Sequence, residues 1–149
     1  MSTVRLARKY LKEMLERDEG RIIIVASEAG VKPIPHLLAL SASKASQLAI
    51  ARGLAELTKG TNVRVNSLLP GPTATPGVQT YMETMAAERG LTAEVVERQY
   101  FAEHEPTSLL GRLLRPEEVA DVALFLASPA SAAVNGASQR AEGGIVRHT

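Results

Sequence analysis

The chain has 149 residues, with 17 Lys+Arg against 16 Asp+Glu and a net charge of +1, which suits one globular domain and gives no reason to expect a nucleic-acid or acidic-membrane partner. The absence of cysteine and tryptophan excludes a disulfide framework and Cys-ligated metal, and leaves little from which to build a stacking surface for single-stranded nucleic acid. The longest apolar stretches, around Arg21 to Ala26 and Leu37 to Ala42, fall far short of the roughly 20 residues that span a bilayer, and the charged start lacks the apolar core of a secretory signal; a cytoplasmic protein is expected.

From Val4 to Leu15, Leu6, Tyr10, Leu11, Met14 and Leu15 recur at helical spacing between charged residues, which predicts an amphipathic helix. Gly20, free to take the left-handed conformation, is expected to end it. Arg21 to Ala26 is a short β-branched run, the pattern of a strand covered on both faces in a parallel sheet. Pro33 and Pro35 make the next segment a loop. Ser41 to Leu57 returns to helix, rich in Ala, Ser and Gly; such small side chains let another helix approach closely, either across a subunit interface or within one core.

Asn62 to Leu69 reads as a second strand, stopped by Pro70-Gly71. Helix, strand, helix, strand with short connections is the unit of doubly wound α/β folds. Two helical segments follow, Val78 to Glu88 and Ala93 to His104, the second with Thr92 as N-cap; an insertion of this kind commonly covers a site. Arg115-Pro116-Glu117-Glu118 sets proline and acids at a helix start, with Val119, Ala120, Ala123, Phe125 and Leu126 as the buried side. A last strand is placed at Ser138 to Ala141, before Glu142-Gly143-Gly144. No repeat or linker divides residues 1–149, which read as a single α/β domain or part of one.

Four patterns in this order carry a resemblance. A strand ends in Ile24-Val25-Ala26-Ser27, and Leu40-Ser41-Ala42-Ser43-Lys44 follows it. Asn66 to Thr75 reads Asn-x-x-x-Pro-Gly-x-x-x-Thr; Arg115 to Ala120 reads Arg-Pro-Glu-Glu-Val-Ala; and Asn135-Gly136-Ala137 precedes Glu142-Gly143-Gly144. Together they resemble the short-chain dehydrogenase/reductase family from its central helix to its C-terminus. The resemblance implies a partial Rossmann-like domain, a doubly wound parallel sheet lacking its N-terminal dinucleotide-binding strands. It also implies hydride transfer between alcohol and carbonyl with NAD or NADP, and a small-molecule substrate.

Reduction of a carbonyl by nicotinamide hydride needs donors that polarise the carbonyl oxygen and an acid that protonates the developing alkoxide. In the family a tyrosine is that acid, in a Tyr-x-x-x-Lys motif, and the lysine lowers the phenol's pKa and bonds the nicotinamide ribose. By resemblance Ser27 polarises the substrate and Lys44 positions the cofactor, with Pro70, Gly71, Thr73 and Thr75 beside the nicotinamide. Leu40 stands at the tyrosine position and has no proton to give. His36, four residues earlier, is a titratable alternative in a loop of undetermined direction. Read without the family, Ser27 is a strand-end serine, Lys44 an exposed helix lysine, and Thr73 and Thr75 local caps.

No glycine-rich phosphate turn precedes Ser27. Little turnover and no detectable cofactor binding are therefore expected of these residues alone, and the strand at Arg21 to Ala26 is expected to lie at an open edge. The competing readings are a non-catalytic oligomerisation protein, assembled as a homo-oligomer through helices 4–17 and 41–57, and a degenerate gene fragment. No metal site is expected: His36, His104 and His148 lack ligand spacing, and Ser27 has no nucleophile elbow around it.

Overall fold

The computed structural model describes residues 2–147, so His148 lies outside the described residues. Among the described residues, five helices and three strands follow in the order α1 (Ser2–Glu16), β1 (Gly20–Val25), α2 (Leu38–Glu56), β2 (Val63–Pro70), α3 (Pro76–Arg89), α4 (Ala93–His104), α5 (Pro116–Ala127) and β3 (Ser138–Ala141). Short 3-10 turns at Glu28–Gly30, Pro35–Leu37 and Pro129–Ser131 interrupt the connections. All three strands are parallel, in the order β1-β2-β3. Gly20 to Val25 pair with Val63 to Leu68, and Ser67 to Pro70 with Ser138 to Ala141. This is the doubly wound α/β arrangement expected, in partial form.

The buried centre is β2, whose Val63, Val65, Leu68 and Leu69 are almost fully enclosed. Helix α2 packs on β1 and β2, while α5 crosses all three strands. Only Leu126 of α5 is fully buried; Val119 and Ala123 are half-buried, and Ala120 and Phe125 are exposed, so the buried stripe is narrower than expected. Ile145 and Val146 close the core after β3.

The end of α1 departs from expectation. Asp18, not Gly20, takes the left-handed conformation at φ 51°, which Asp tolerates better than most residues. Its carboxylate accepts from the Asn62 backbone N–H at 2.7 Å and from Asn62 Nδ2 at 2.8 Å, tying this turn to the start of β2. Gly20 is instead the first residue of β1, where a Cβ would fall 2.5 Å from the Met14 side chain. Its use is close approach rather than backbone freedom.

Strand β1 is less covered than a two-faced strand should be. Ile22 and Ile23 are half-buried and Val25 is 55% exposed, and a cavity of about 310 Å³ is lined by Leu6, Tyr10 and Met14 of α1 and by Ile22 to Val25. Among the described residues β1 pairs with β2 alone, the edge position expected. Helix α2 starts three residues before Ser41. The small side chains that suggested tight packing lie mostly outward: Ala42, Ser43, Ala45, Ser46, Ala49 and Gly53 are exposed, while Ser41, Ala51 and Ala55 are buried.

Two asparagines from the recurring patterns serve the fold. Asn66, 1% exposed, donates through Nδ2 to Val134 O at 2.9 Å and accepts the Ala137 N–H at 3.0 Å. Asn135 accepts the Val65 N–H at 2.8 Å and donates to Thr58 Oγ1 at 2.9 Å. Together they fasten the segment leading into β3 along β2, where the ladder itself is only four residues long.

Helices α3 and α4 form a separate layer with its own core of Met82, Ala86, Val96, Phe101 and Leu113. Thr75 caps α3, its hydroxyl accepting the Val78 N–H at 3.4 Å. Thr92 occupies the N-cap position of α4, but its side chain caps no backbone N–H and bonds the Glu94 carboxylate instead. A bridge between Thr73 and Leu114 holds this layer to the end of β2.

Candidate active site

Ser27 follows β1 at its C-terminal end, where open α/β sheets bind ligands. The strand lattice ends with Ala26, whose N–H still donates to Leu68 O. Ser27 is half-buried and caps the 3-10 turn of Glu28–Gly30, accepting the Ala29 N–H at 3.2 Å. Its hydroxyl also lies 2.5 Å from Glu28 Oε2. That carboxyl is 6% exposed. Burial pushes its pKa above the ordinary carboxylate value, the Ser27 hydrogen bond pulls the other way, and the nearby Glu105 charge raises it further.

Leu40 lies in the first turn of α2 and is 40% exposed. Lys44 is one turn further on, the spacing that keeps two side chains on one helix face. Its ammonium reaches toward Val25 O at 3.4 Å, a long contact that leaves hydrogen-bonding capacity unused. Pro70 ends β2. At Gly71 a Cβ would fall 2.8 Å from Glu142 Cα and 2.9 Å from Glu142 O, so only glycine lets these backbones meet. Thr73 Oγ1 donates to Gly71 O at 2.9 Å, and Thr75 caps α3. Both threonines therefore do the local work of loop hydroxyls, with Thr73 left an acceptor and Thr75 a donor.

Three of these positions meet. Ser27, Leu40 and Gly71 line one cavity of about 340 Å³ together with Ile34, Pro72, Val78, Tyr81 and Met82 of α3 and Tyr100 of α4. The α3–α4 layer thus supplies part of the wall of this cavity. Lys44, Pro70, Thr73 and Thr75 do not line this cavity. His36 is exposed and faces a neighbouring cavity of about 310 Å³ with Tyr100, His104 and Glu105, its ring 6.1 Å from that of His104. It does not line the cavity of Ser27 and Leu40.

Sequence reasoning passed over Glu28, Tyr81 and Tyr100. Tyr100 packs edge-on against Phe101 at 5.4 Å, and its hydroxyl pKa is pushed up to about 12 by burial and by the charges of Glu105 and Glu28. Adjacency to Ser27 was the one signal for Glu28, because a charge after an apolar strand reads as a surface residue until its burial is known. Lys32, on the same loop, is paired with the buried Glu105.

Comparison with known proteins places this geometry. A family model described as enoyl-(acyl carrier protein) reductase matches residues 1–146. The uncharacterized oxidoreductase YvrD of Bacillus subtilis is 51% identical over 147 residues, covering 99% of this chain and 56% of the relative. Among solved structures, L-sorbose reductase from Gluconobacter frateurii, complexed with NADPH and L-sorbose, superposes with a TM-score of 0.86 at 28% identity, covering 98% of this chain and 54% of that one. An NADPH-bound short chain oxidoreductase from Pseudomonas aeruginosa containing an atypical catalytic center matches at 0.79 and 31% identity, covering 96% and 52%. The chain thus spans about half the length of the proteins it matches. By the match along nearly its whole length, the chain belongs to the short-chain dehydrogenase/reductase family.

Proposed function

We propose that the chain is the substrate-facing and nicotinamide-facing part of an NAD(P)-dependent oxidoreductase that interconverts an alcohol and a carbonyl, slowed by the leucine at position 40. The observation that carries this reading is the convergence of Ser27, Leu40 and Gly71, from three separate segments, on one cavity. The NADPH bound in the sorbose reductase supports the cofactor class.

The residues present suit one end of a dinucleotide. Lys44 has donors to spare for a ribose, and the Gly71 backbone presents no side chain to keep a flat ring away. Thr73 as acceptor and Thr75 as donor complement an amide. No glycine-rich turn for a diphosphate lies among the residues before Ser27. A bound reduced nicotinamide supplies hydride. Ser27 Oγ holds and polarises the carbonyl oxygen, the apolar walls of Ile34, Val78 and Met82 exclude water, and Lys44 orients the ring through its sugar. Leu40 leaves the place of the phenolic acid filled by hydrocarbon.

The test is carbonyl reduction followed at the nicotinamide absorbance with a panel of small ketones and aldehydes. Slow reduction that rises in Leu40→Tyr and vanishes in Ser27→Ala is expected. A folded Leu40→Tyr protein with no gain, under saturating cofactor, overturns the reading.

A second reading has its own observation. The small-residue face of α2 is exposed, with open space where a Gly53 side chain would be, and α1 exposes Leu6 and Tyr10 beside it. Such a surface suits close helix packing with a second copy. Light scattering tests it: a homo-oligomer is expected, and a monomer at high concentration overturns it.

A further inference from the structure

The cavity contains an acid that the leucine substitution did not remove. Glu28 is the carboxyl among its lining residues, and its Oε2 lies 2.5 Å from Ser27 Oγ, the atom assigned to the substrate oxygen. We propose that Glu28 is the proton source for carbonyl reduction in this cavity, delivering its proton through Ser27 Oγ in place of the phenol that Leu40 does not supply. The proposal rests on the oxidoreductase reading above.

The surroundings favour a neutral carboxyl at this place. Glu28 is 6% exposed and takes its backbone turn from Ser27, so its side chain is held beside that hydroxyl. The groups around it are Glu105 and Tyr100 from α4 and its end and Tyr81 from α3. Of the nearest cations, Lys32 is committed to Glu105 and the Lys44 ammonium reaches Val25 O, so among the described residues Glu28 has a neighbouring carboxylate and no ion pair. Burial without a counter-ion favours the protonated form, and the raised pKa agrees. The other acidic hydrogens are poorer. Tyr100 is pushed up to about 12, and the hydroxyl of Ser27 is bonded to Glu28 and the Ala29 N–H rather than to either phenol.

The step balances. Hydride from a reduced nicotinamide adds to the carbonyl carbon, and the C=O π pair moves onto oxygen. Ser27 Oγ donates to Glu28 Oε2 in the resting arrangement; with Glu28 protonated, the hydroxyl turns to the carbonyl oxygen and accepts the Glu28 O–H. The carbonyl oxygen thus takes the Ser27 Oγ proton as the new alcohol O–H forms, and Ser27 Oγ takes the proton of Glu28. Glu28 is left as carboxylate and is reprotonated from solvent. Reduction should therefore track the protonated fraction of Glu28 and fall as pH rises through its titration.

Two readouts test this. First, the side-chain carboxyl carbons of the glutamates are labelled with ¹³C and titrated by NMR in the whole chain without cofactor, with Glu28 assigned by its loss in Glu28→Gln. Glu28 should titrate above the exposed glutamates, and titration together with them overturns the proposal. Second, the pH profile of ketone reduction is measured with excess NADPH. The wild-type rate should fall along the NMR titration of Glu28; Glu28→Gln, isosteric and still able to bond Ser27, should lose about 10²-fold and the pH dependence; and Glu28→Asp should keep the dependence. In Leu40→Tyr the Glu28→Gln loss should shrink to a few-fold, since a phenol then competes. A Glu28→Gln enzyme with wild-type rate and profile overturns the relay alone. Absence of turnover in both wild type and Leu40→Tyr overturns the oxidoreductase reading, and the relay with it.

Discussion

Replacing Asn66 by alanine removes both arms of a buried clamp. The amide bonds Val134 O at 2.9 Å and the Ala137 N–H at 3.0 Å, and it is 1% exposed, so water cannot take its place. Each backbone group left unpaired costs about 1–3 kcal/mol, which puts Asn66→Ala roughly 2–6 kcal/mol below wild type, a large share of the 5–15 kcal/mol typical of a domain. Asn135 makes the matching pair of bonds to the Val65 N–H and Thr58 Oγ1. The asparagine is exposed but Val65 and Thr58 are 0% and 1% exposed. The Thr58 hydroxyl keeps its bond to Ala55 O, so one enclosed group, the Val65 N–H, is stranded, and Asn135→Ala should cost about 1–3 kcal/mol. Urea unfolding followed by circular dichroism measures both. With an m-value of about 2 kcal/mol/M, Asn66→Ala lowers the midpoint by about 1–3 M and Asn135→Ala by about half as much. Equal losses from the two variants would refute the argument that the number of backbone groups left unpaired sets the cost.

Leu40→Tyr should raise the carbonyl reduction rate by a factor of about 10²–10⁴, because Leu40 faces an open cavity one helical turn from Lys44; steady-state kinetics read this, with Leu40→Phe as the control that adds the ring and no proton. Gly71→Ala drives a Cβ against the Glu142 backbone and should cost about 1–3 kcal/mol in urea melts through overpacking. The Glu118 carboxyl, bonded twice by Arg112 and once by the Arg115 N–H, is held down to about 2 against an ordinary 4.5. A depressed folded pKa means that the unfolded chain takes the proton first as pH falls. The stability gained is full above about pH 4.5 and is lost progressively toward pH 2, so the melting-temperature gap between wild type and Glu118→Gln should narrow across that window.

Element identity was largely legible because each segment carries a clean period and its own punctuation. The β-branched run before Ser27 and the Pro-Glu-Glu helix start needed no tertiary information. What was hidden belongs to packing. The turn after α1 was assigned to Gly20 on conformational freedom, but Asp18 takes the strained angle because its carboxylate finds Asn62 across the sheet. The small face of α2 reads alike whether it is covered or bare. At the site, Ser27, Leu40 and Gly71 could be named from spacing within a known pattern, whereas Glu28 could not, since only the α3–α4 layer folding over it turns a charged loop residue into a buried acid. Thr73 and Thr75 show the reverse: pattern promoted them, and geometry gives their hydroxyls local partners.

The four-residue pairing of β3 has a kinetic side. The Ser67 and Ser138 hydroxyls that meet at its start are 71 residues apart in the chain, whereas Arg21 and Asn62, at the start of the β1–β2 pairing, are 41 apart. Loop closure over the longer span costs only about 0.5 kcal/mol more, but it must be met by a shorter ladder, so β3 docks late and leaves early. Amide hydrogens at Ala137, Gly71 and Val65, which donate to Asn66, Ala141 and Asn135, should exchange through this partial opening, and that of Leu68, on the β1 side of β2, only on global unfolding. The wall between Gly71 and Glu142 opens with β3, so the residue that brings the loop after β2 to the cavity rests on the part of the sheet with the shortest lifetime.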